Sequence, residues 1–416
     1  MKTNFKRFFV LWAGQLISAI GGGLTAFGLG VYVFEKTGSA ASMGLVTLLG
    51  FLPTLVLSVP AGVLADRFDR RLLMMLGDGL SALGVIYILM CMMRGEASLV
   101  QICIGVAISA IFSSLMDPAY KATVSELLTK DEYSKASGLV SLAGSARFLI
   151  SPLLAGLLLS VCDIKVLLIV DIATFVVTVL STFAVKRGLK VQREVKNESF
   201  GESLMDGWRV LYRNRGAFML VIVSVFLTLF VGVFQVLAEP LVLSMADAAT
   251  LGIAETICAC GMLVSSLYLG VRGIRRGYVK VLSASLALAG VFIMGFGLVM
   301  RISLITLCGF GFFLMLPFAN NCLDYLVRTN TPTDMQGRIW GIVGFLSQLG
   351  YVVAYGLSGV LADKLAAVQG IDVGRGAGLV MAVSGGALIL VSVGMLMLRD
   401  IRGLEPEKAA GREQAA

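Results

Sequence analysis

Histidine is absent from this 416-residue chain, and charge of either sign is scarce. Without imidazole, the commonest transition-metal ligand and the usual proton carrier near neutral pH are both missing. Any proton chemistry therefore falls to carboxylates, and no metal site is expected. Charged residues make up 14% of the chain, against about 25% in soluble proteins. Apolar residues reach 57% and mean hydropathy is +0.90, which excludes an ordinary soluble domain. The seven cysteines (Cys91, Cys103, Cys162, Cys258, Cys260, Cys308 and Cys322) contain no C-x-x-C pair and fall in or at the ends of apolar runs. They read as small packing residues, not as disulfide or metal ligands. No nucleotide-binding P-loop motif is present, which argues against an enzyme and against ATP as a direct driver. Alternating segments of about 10 residues, the mark of a membrane barrel, are also missing.

What the chain does have is a series of apolar runs near 8–34, 42–64, 72–93, 98–117, 137–162, 164–185, 217–240, 249–270, 279–300, 303–326, 338–362 and 376–398. A spanning helix needs about 20 mostly apolar residues at ~1.5 Å rise each. Inside hydrocarbon every backbone amide must be paired within its own segment, so these runs predict helices. The fold class expected is an all-α membrane protein of twelve transmembrane helices in two six-helix, pseudo-symmetric bundles. The first run begins after Lys2, Lys6 and Arg7 but continues too long for a signal peptide, so it reads as the first span. With the N-terminus inside, the cytoplasmic segments hold 27 of the 34 Lys and Arg residues and the external loops hold 6. Arg147 alone falls in the interior of a run, basic residues at run ends being counted with the adjoining loops. This skew places both termini in the cytoplasm of a cell-membrane protein. It also assigns the net charge of +8 to the inner leaflet and not to nucleic acid.

The long polar interruption at 186–216 divides the chain into a bundle at 1–185, a cytoplasmic linker, a bundle at 217–398 and a tail at 399–416. Within the linker, Phe200, Leu204, Trp208 and Leu211 recur at helical spacing and predict an amphipathic helix on the membrane surface, a solvated linker being the alternative. The tail is charged and expected to be disordered. Two halves of six runs suggest an internal duplication. The pentapeptide Gly62–Asp66 at the end of run 2 recurs at Gly359–Asp363, at the expected end of run 11. Glycine is abundant, at 48 residues, including Gly21-Gly22-Gly23 in run 1. In lipid such small residues permit close helix approach.

The strongest local signal is Gly62-Val-Leu-Ala-Asp-Arg-Phe-Asp-Arg-Arg71, between runs 2 and 3. It resembles the loop signature of the major facilitator superfamily, roughly G-x-x-x-D-R-x-G-R-R. Gly62, Asp66, Arg67, Arg70 and Arg71 match, while Asp69 stands where the signature has its second glycine. The resemblance implies that the acid and the arginines form a cytoplasmic latch between the two halves. Asp78, two helical turns on, is expected to pair with those arginines. Trp12-Ala-Gly-Gln15, Glu35–Ser39, Gly50–Pro53, Ser151-Pro152 and Gly337-Arg338 further resemble the macrolide-efflux branch of that superfamily. That likeness implies alternating access and export driven by proton antiport, with no cofactor beyond the proton gradient. Two positions depart from the pattern. Run 4 carries no arginine, Ser109 standing near the expected place, and run 5 has Ser151-Pro152 in place of Gly-Pro.

An ionisable group at mid-membrane costs about 2.5–3.5 kcal/mol on insertion scales, so each one needs a partner or a task. Arg147 in run 5 and Glu255 in run 8 differ in depth by about 6 Å. The resemblance sets those two helices face to face. Glu255 and Arg147 are therefore proton-coupling candidates, with a static ion pair as the alternative reading. Asp324, near the inner end of run 10, is the third candidate. Asp171 in run 6 falls on a helix that is peripheral in the family, so a packing role is expected. If the resemblance holds, a central cavity is lined by runs 1, 4, 7 and 10. Gln15, Ser18, Thr25, Phe234, Gln235, Asn320 and Asn321 are then the substrate-contact candidates. Few polar anchors on an apolar wall suit a bulky amphiphile such as a macrolide. A siderophore or lipid exporter of the same fold is the alternative, and a transporter-like receptor or scaffold the alternative of another class. The partners expected are an amphipathic small molecule and the bilayer, with no nucleic acid, and the chain is expected to act as a monomer.

Overall fold

The computed structural model describes residues 5–129, 132–186, 212, 215–274, 276–331 and 336–404. Among them are helices and no strands, and twelve helical spans are long and apolar enough to cross a membrane. In chain order the helices are α1 (Phe5–Thr37), α2 (Ala40–Arg67), α3 (Arg70–Met93), α4 (Leu99–Ser113) and α5 (Met116–Leu127). They continue with α6 (Tyr133–Leu149), α7 (Ser151–Leu159), α8 (Ile164–Lys186), α9 (Arg215–Leu243) and α10 (Ala248–Arg272). The last are α11 (Tyr278–Leu298), α12 (Ile302–Thr329), α13 (Gln336–Gln369), α14 (Val373–Met397) and the short α15 (Arg399–Arg402). Each expected run is found as a span, the fourth as α4 with α5 and the fifth as α6 with α7. Many large apolar side chains are exposed, among them Val100, Leu180, Leu267 and Leu390, as lipid-facing positions require.

Two compact units emerge: one from Met1–Lys196 and Asp247–Thr256, the other from Asn197–Ala246 and Ile257–Ala416. The first residues of α10 thus group with the first unit. The expected amphipathic stretch around Phe200, Leu204, Trp208 and Leu211 lies outside the described residues. The recurring pentapeptide does not mark equivalent helix ends. Gly62–Asp66 closes α2, whereas Gly359–Asp363 lies within α13, which runs on to Gln369.

In the first unit α1 and α8 pack along a seven-residue repeat. Gly14 abuts Ser181, Gly21 abuts Thr174, and Gly28 abuts Leu167. The numbers rise by seven on one helix as they fall by seven on the other, so one antiparallel seam runs the length of the contact. A strict seven-residue spacing keeps that seam facing its partner as the helices coil. Thr178 adds a hydrogen bond from its hydroxyl to the Gly14 carbonyl, at 3.2 Å. α3 and α4 approach as closely at Gly84 and Gly105, and Ser81 bonds Ser109 and Ser113 at 2.7 and 2.9 Å. A Cβ on Gly84 would collide with the backbone oxygen of Gly105. Gly84→Ala should therefore lower stability by about 1–3 kcal/mol, the usual range for overpacking, measured as a lower unfolding midpoint in detergent.

In the second unit α11 meets α14 through two glycine pairs, Gly290 with Gly385 and Gly297 with Gly378. α9 packs against both α13 and α14. The start of the C-terminal tail is ordered, contrary to the sequence expectation. α15 buries Ile401, and Leu404 packs on Gly216 while its carbonyl accepts from Asn330 Nδ2 at 3.2 Å. Two apolar side chains at helical spacing in a charged segment account for this docking. Residues 405–416 lie outside the described residues.

Candidate transport and coupling site

The loop signature is built by local caps and one missing piece from α5. Asp69 caps α3, its side chain accepting from the Arg71 backbone N–H at 3.0 Å. This accounts for an aspartate in place of the signature's second glycine. The arginines do not turn to Asp78. Arg70 and Arg71 each place an N–H 2.8 Å from a different oxygen of Glu126 on α5. Arg70 Nη1 also donates to the Ala122 carbonyl at 3.1 Å. Arg71 is buried, with its side chain 4% exposed, whereas Asp66 is 76% exposed and reaches Arg70 only at 4.0 Å. The latch contact seen here is therefore a clamp between α3 and α5 within the first unit. Gly62 lies in the last turns of α2, and Arg67, which ends the helix, is exposed.

Glu126 was not among the sequence candidates because hydropathy falls after residue 117. Its signal is periodic instead. Met116, Ala119, Tyr120, Thr123, Val124 and Leu127 are all buried, at the three-and-four spacing of one helical face. That pattern carries a helix through residue 127.

Arg147 lies at the end of α6, where the helix breaks. Pro152 has no N–H to continue the ladder, and Ile150 separates α6 from α7. Ser151 Oγ turns to the Ile20 carbonyl at 3.0 Å, and the Leu149 carbonyl accepts from Thr256 Oγ1 at 3.1 Å. α10 can come this close because glycines line the contact. Gly252 abuts the Pro152 carbonyl and Gly156 abuts that of Ala248. Glu255 stands three residues after Gly252, on the stretch of α10 that approaches the break. Arg147 runs along α1, its Cγ 3.2 Å from where a Gly23 Cβ would be, and its charge reaches Asp171 on α8. Ser109, standing where an arginine was expected, bonds Ser81 and serves the α3–α4 contact.

The cavity candidates divide. On α1, Ser18 and Thr25 are buried and Gln15 half-buried, and the Gln15 Oε1 oxygen is enclosed without a hydrogen-bond partner. On α9, Gln235 accepts from the Tyr355 hydroxyl. Phe234 is taken up by packing, its ring 4.7 Å from Phe296, 4.7 Å from Phe312 and 5.6 Å from Phe313. Asn320, Asn321 and Asp324 lie together on the exposed face of α12.

Twelve spans in two units, a clamped basic loop and a polar break in a glycine-lined span together define a membrane transporter. The chain belongs to the major facilitator superfamily, whose family model matches residues 11–355. It is 27% identical to macrolide efflux protein A of Streptococcus pyogenes, over 97% of this chain and 98% of that one. The enterobactin exporter EntS of Salmonella typhimurium is 26% identical over 99% and 97% of the two chains. The multidrug efflux pump Tap of Mycolicibacterium fortuitum is 25% identical over 87% and 91%. Among solved structures, the nucleoside transporter NupG shares the fold at TM-score 0.72 and 14% identity, over 94% of this chain and 98% of that one. A bacterial homologue of the iron transporter ferroportin does so at 0.72 and 13%, over the same shares.

Proposed function

We propose that this protein exports bulky amphipathic compounds, macrolides among them, in exchange for protons by alternating access. The observation that carries the reading is the end-to-end match to a macrolide efflux protein, over 97% of this chain. The arrangement around Glu255 supports the coupling. The chain has no histidine, and this carboxylate stands three residues from Gly252, where α10 meets the break after Arg147. A carboxylate placed there can hold a proton in one state and face a guanidinium or a cationic substrate in another. Asp324 is a further proton candidate. Gln15, Ser18, Thr25, Gln235, Asn320 and Asn321 are the polar groups proposed to meet the substrate. The protein acts in this reading as a monomer of the cell membrane with both termini cytoplasmic, and uses the proton gradient as its only energy source.

The test is flux from proteoliposomes under an imposed pH gradient, with a macrolide, a dye cation and a lysolipid as cargo. Proton-driven flux of the macrolide, abolished by a protonophore, is the expected result. Gradient-independent leakage of all three would overturn the reading. The enterobactin exporters, similar over 99% of this chain, favour a second one, a siderophore as cargo. A siderophore arm in the same assay separates the two.

A further inference from the structure

Two charged side chains of the first unit, Asp171 and Arg147, lie beside the Gly21–Gly23 segment of α1, and a third, Asp78, interacts with Asp171. Asp171 of α8 is 1% exposed and Asp78 of α3 is 4% exposed. Asp171 Oδ1 is 2.9 Å from where a Gly21 Cβ would stand, and Arg147 of α6 lies against Gly23. The charges act on one another: Asp171 on Asp78, and Arg147 on Asp171. Oxygens complete the cluster. Thr174 Oγ1 reaches Asp171 Oδ1 at 3.4 Å, and the Thr25 hydroxyl stands beside the same carboxylate.

One feature points to a missing occupant. Asp78 Oδ2 is enclosed and has no hydrogen-bond partner. Among the described residues, no cation other than Arg147 is seen to act on the pair. Against α3, α8 presents Asp171, α4 presents Ser109 and Ser113, and α5 presents Glu126, already held by Arg70 and Arg71. α5 also carries Asp117 and Lys121, paired with each other on its exposed face, and α2 carries Asp66, turned to Arg70. Against α8, α1 presents Gly21 and Thr25, neither of them charged, and α6 presents Arg147. Two carboxylates thus face one guanidinium. Like charges at a shared buried site cannot both ionise without a compensating cation. An ionised Asp78 would also leave a buried oxygen unpaired.

We propose that Asp78 and Asp171 together hold one exchangeable proton, with Arg147 balancing the charge that remains. The proton sits on the Asp78 carboxyl, while Asp171 stays ionised beside Arg147 and Thr174. Movement of Arg147 with the α6–α7 break changes how far its charge compensates the pair, and so binds or releases the proton. This rests on the proton-coupled reading and deepens it by adding a second proton-binding site to the one proposed at Glu255. Its test measures binding without flux, so the two can fail separately.

The experiment is infrared difference spectroscopy on the full-length protein in lipid membranes, stepped in pH without substrate. The wild type should show a protonated-carboxyl stretch that shifts in heavy water and disappears as pH rises. Asp78→Asn should remove that band, and Asp171→Asn should move its midpoint by at least one pH unit. Asp78→Glu should retain the band, which separates proton binding from a failure to fold. Glu255→Gln should leave the Asp78-dependent band in place. A band of unchanged size and midpoint in both asparagine variants overturns the proposal. So does a band lost only in Glu255→Gln, or a midpoint that follows sodium concentration at fixed salt.

Discussion

Glu126→Gln should destabilise the protein by about 3 kcal/mol, the low end of the cost of stripping one partner from a buried ion pair. The Arg71 side chain is 4% exposed, and its Nε already lacks a hydrogen-bond partner. Glu126 supplies the facing carboxylate at 2.8 Å and uses its second oxygen on Arg70, also at 2.8 Å. Glutamine conserves the shape and removes the charge from both contacts. Glu126 is itself 33% exposed, so water reaches the site and holds the cost below the upper end of the range. The measurement is thermal unfolding in detergent, with a second variant to isolate the cause. Arg71→Met in the Glu126→Gln background removes the orphaned cation and should recover at least half of the lost stability. If the double variant is as unstable as the sum of the singles, the clamp is not the source of the effect.

Glu126 also shows where sequence reading reached its limit. Twelve runs could be read from hydropathy because lipid demands apolar length, and each was found. The basic turn at Gly62–Arg71 could be read because glycine, aspartate and arginine stand at a defined spacing. The partner of those arginines could not be read the same way, since it lies beyond the point where run 4 loses its apolar character. Only the buried face from Met116 to Leu127 marks the continuation. Asp171 illustrates a second gap. Hydropathy places it in a span but not beside a neighbour, and a peripheral helix suggested packing. The seam of Gly14, Gly21 and Gly28 against residues 181, 174 and 167 draws α8 onto α1 and buries Asp171 there. The seven-residue spacing is visible in each segment alone, yet their pairing depends on which helices meet. Phe234 shows a related gap. Aromatic content does not say whether a ring meets cargo or other rings, and here it meets Phe296, Phe312 and Phe313.

Glu255→Gln should reduce proton-driven export to the level of protein-free vesicles while leaving the fold intact. Glutamine fits the volume of glutamate and hydrogen-bonds, but it neither binds nor releases a proton in the working range. Its place on α10 limits the structural damage. Gly252 and Thr256, which make the close contacts to Pro152 and Leu149, are untouched. A neutral side chain also avoids placing a charge within an apolar span, so stability should be equal or higher. The two readings of this residue then separate cleanly. If Glu255 carries coupling, flux loses its response to the pH gradient while substrate binding persists and the unfolding midpoint holds. If it is a fixed structural ion, the unfolding midpoint falls and the remaining flux still follows the gradient. Measuring both on one preparation decides between them, and Glu255→Asp gives the graded case. A carboxylate one methylene shorter can still titrate, so gradient-driven flux should survive at a reduced rate.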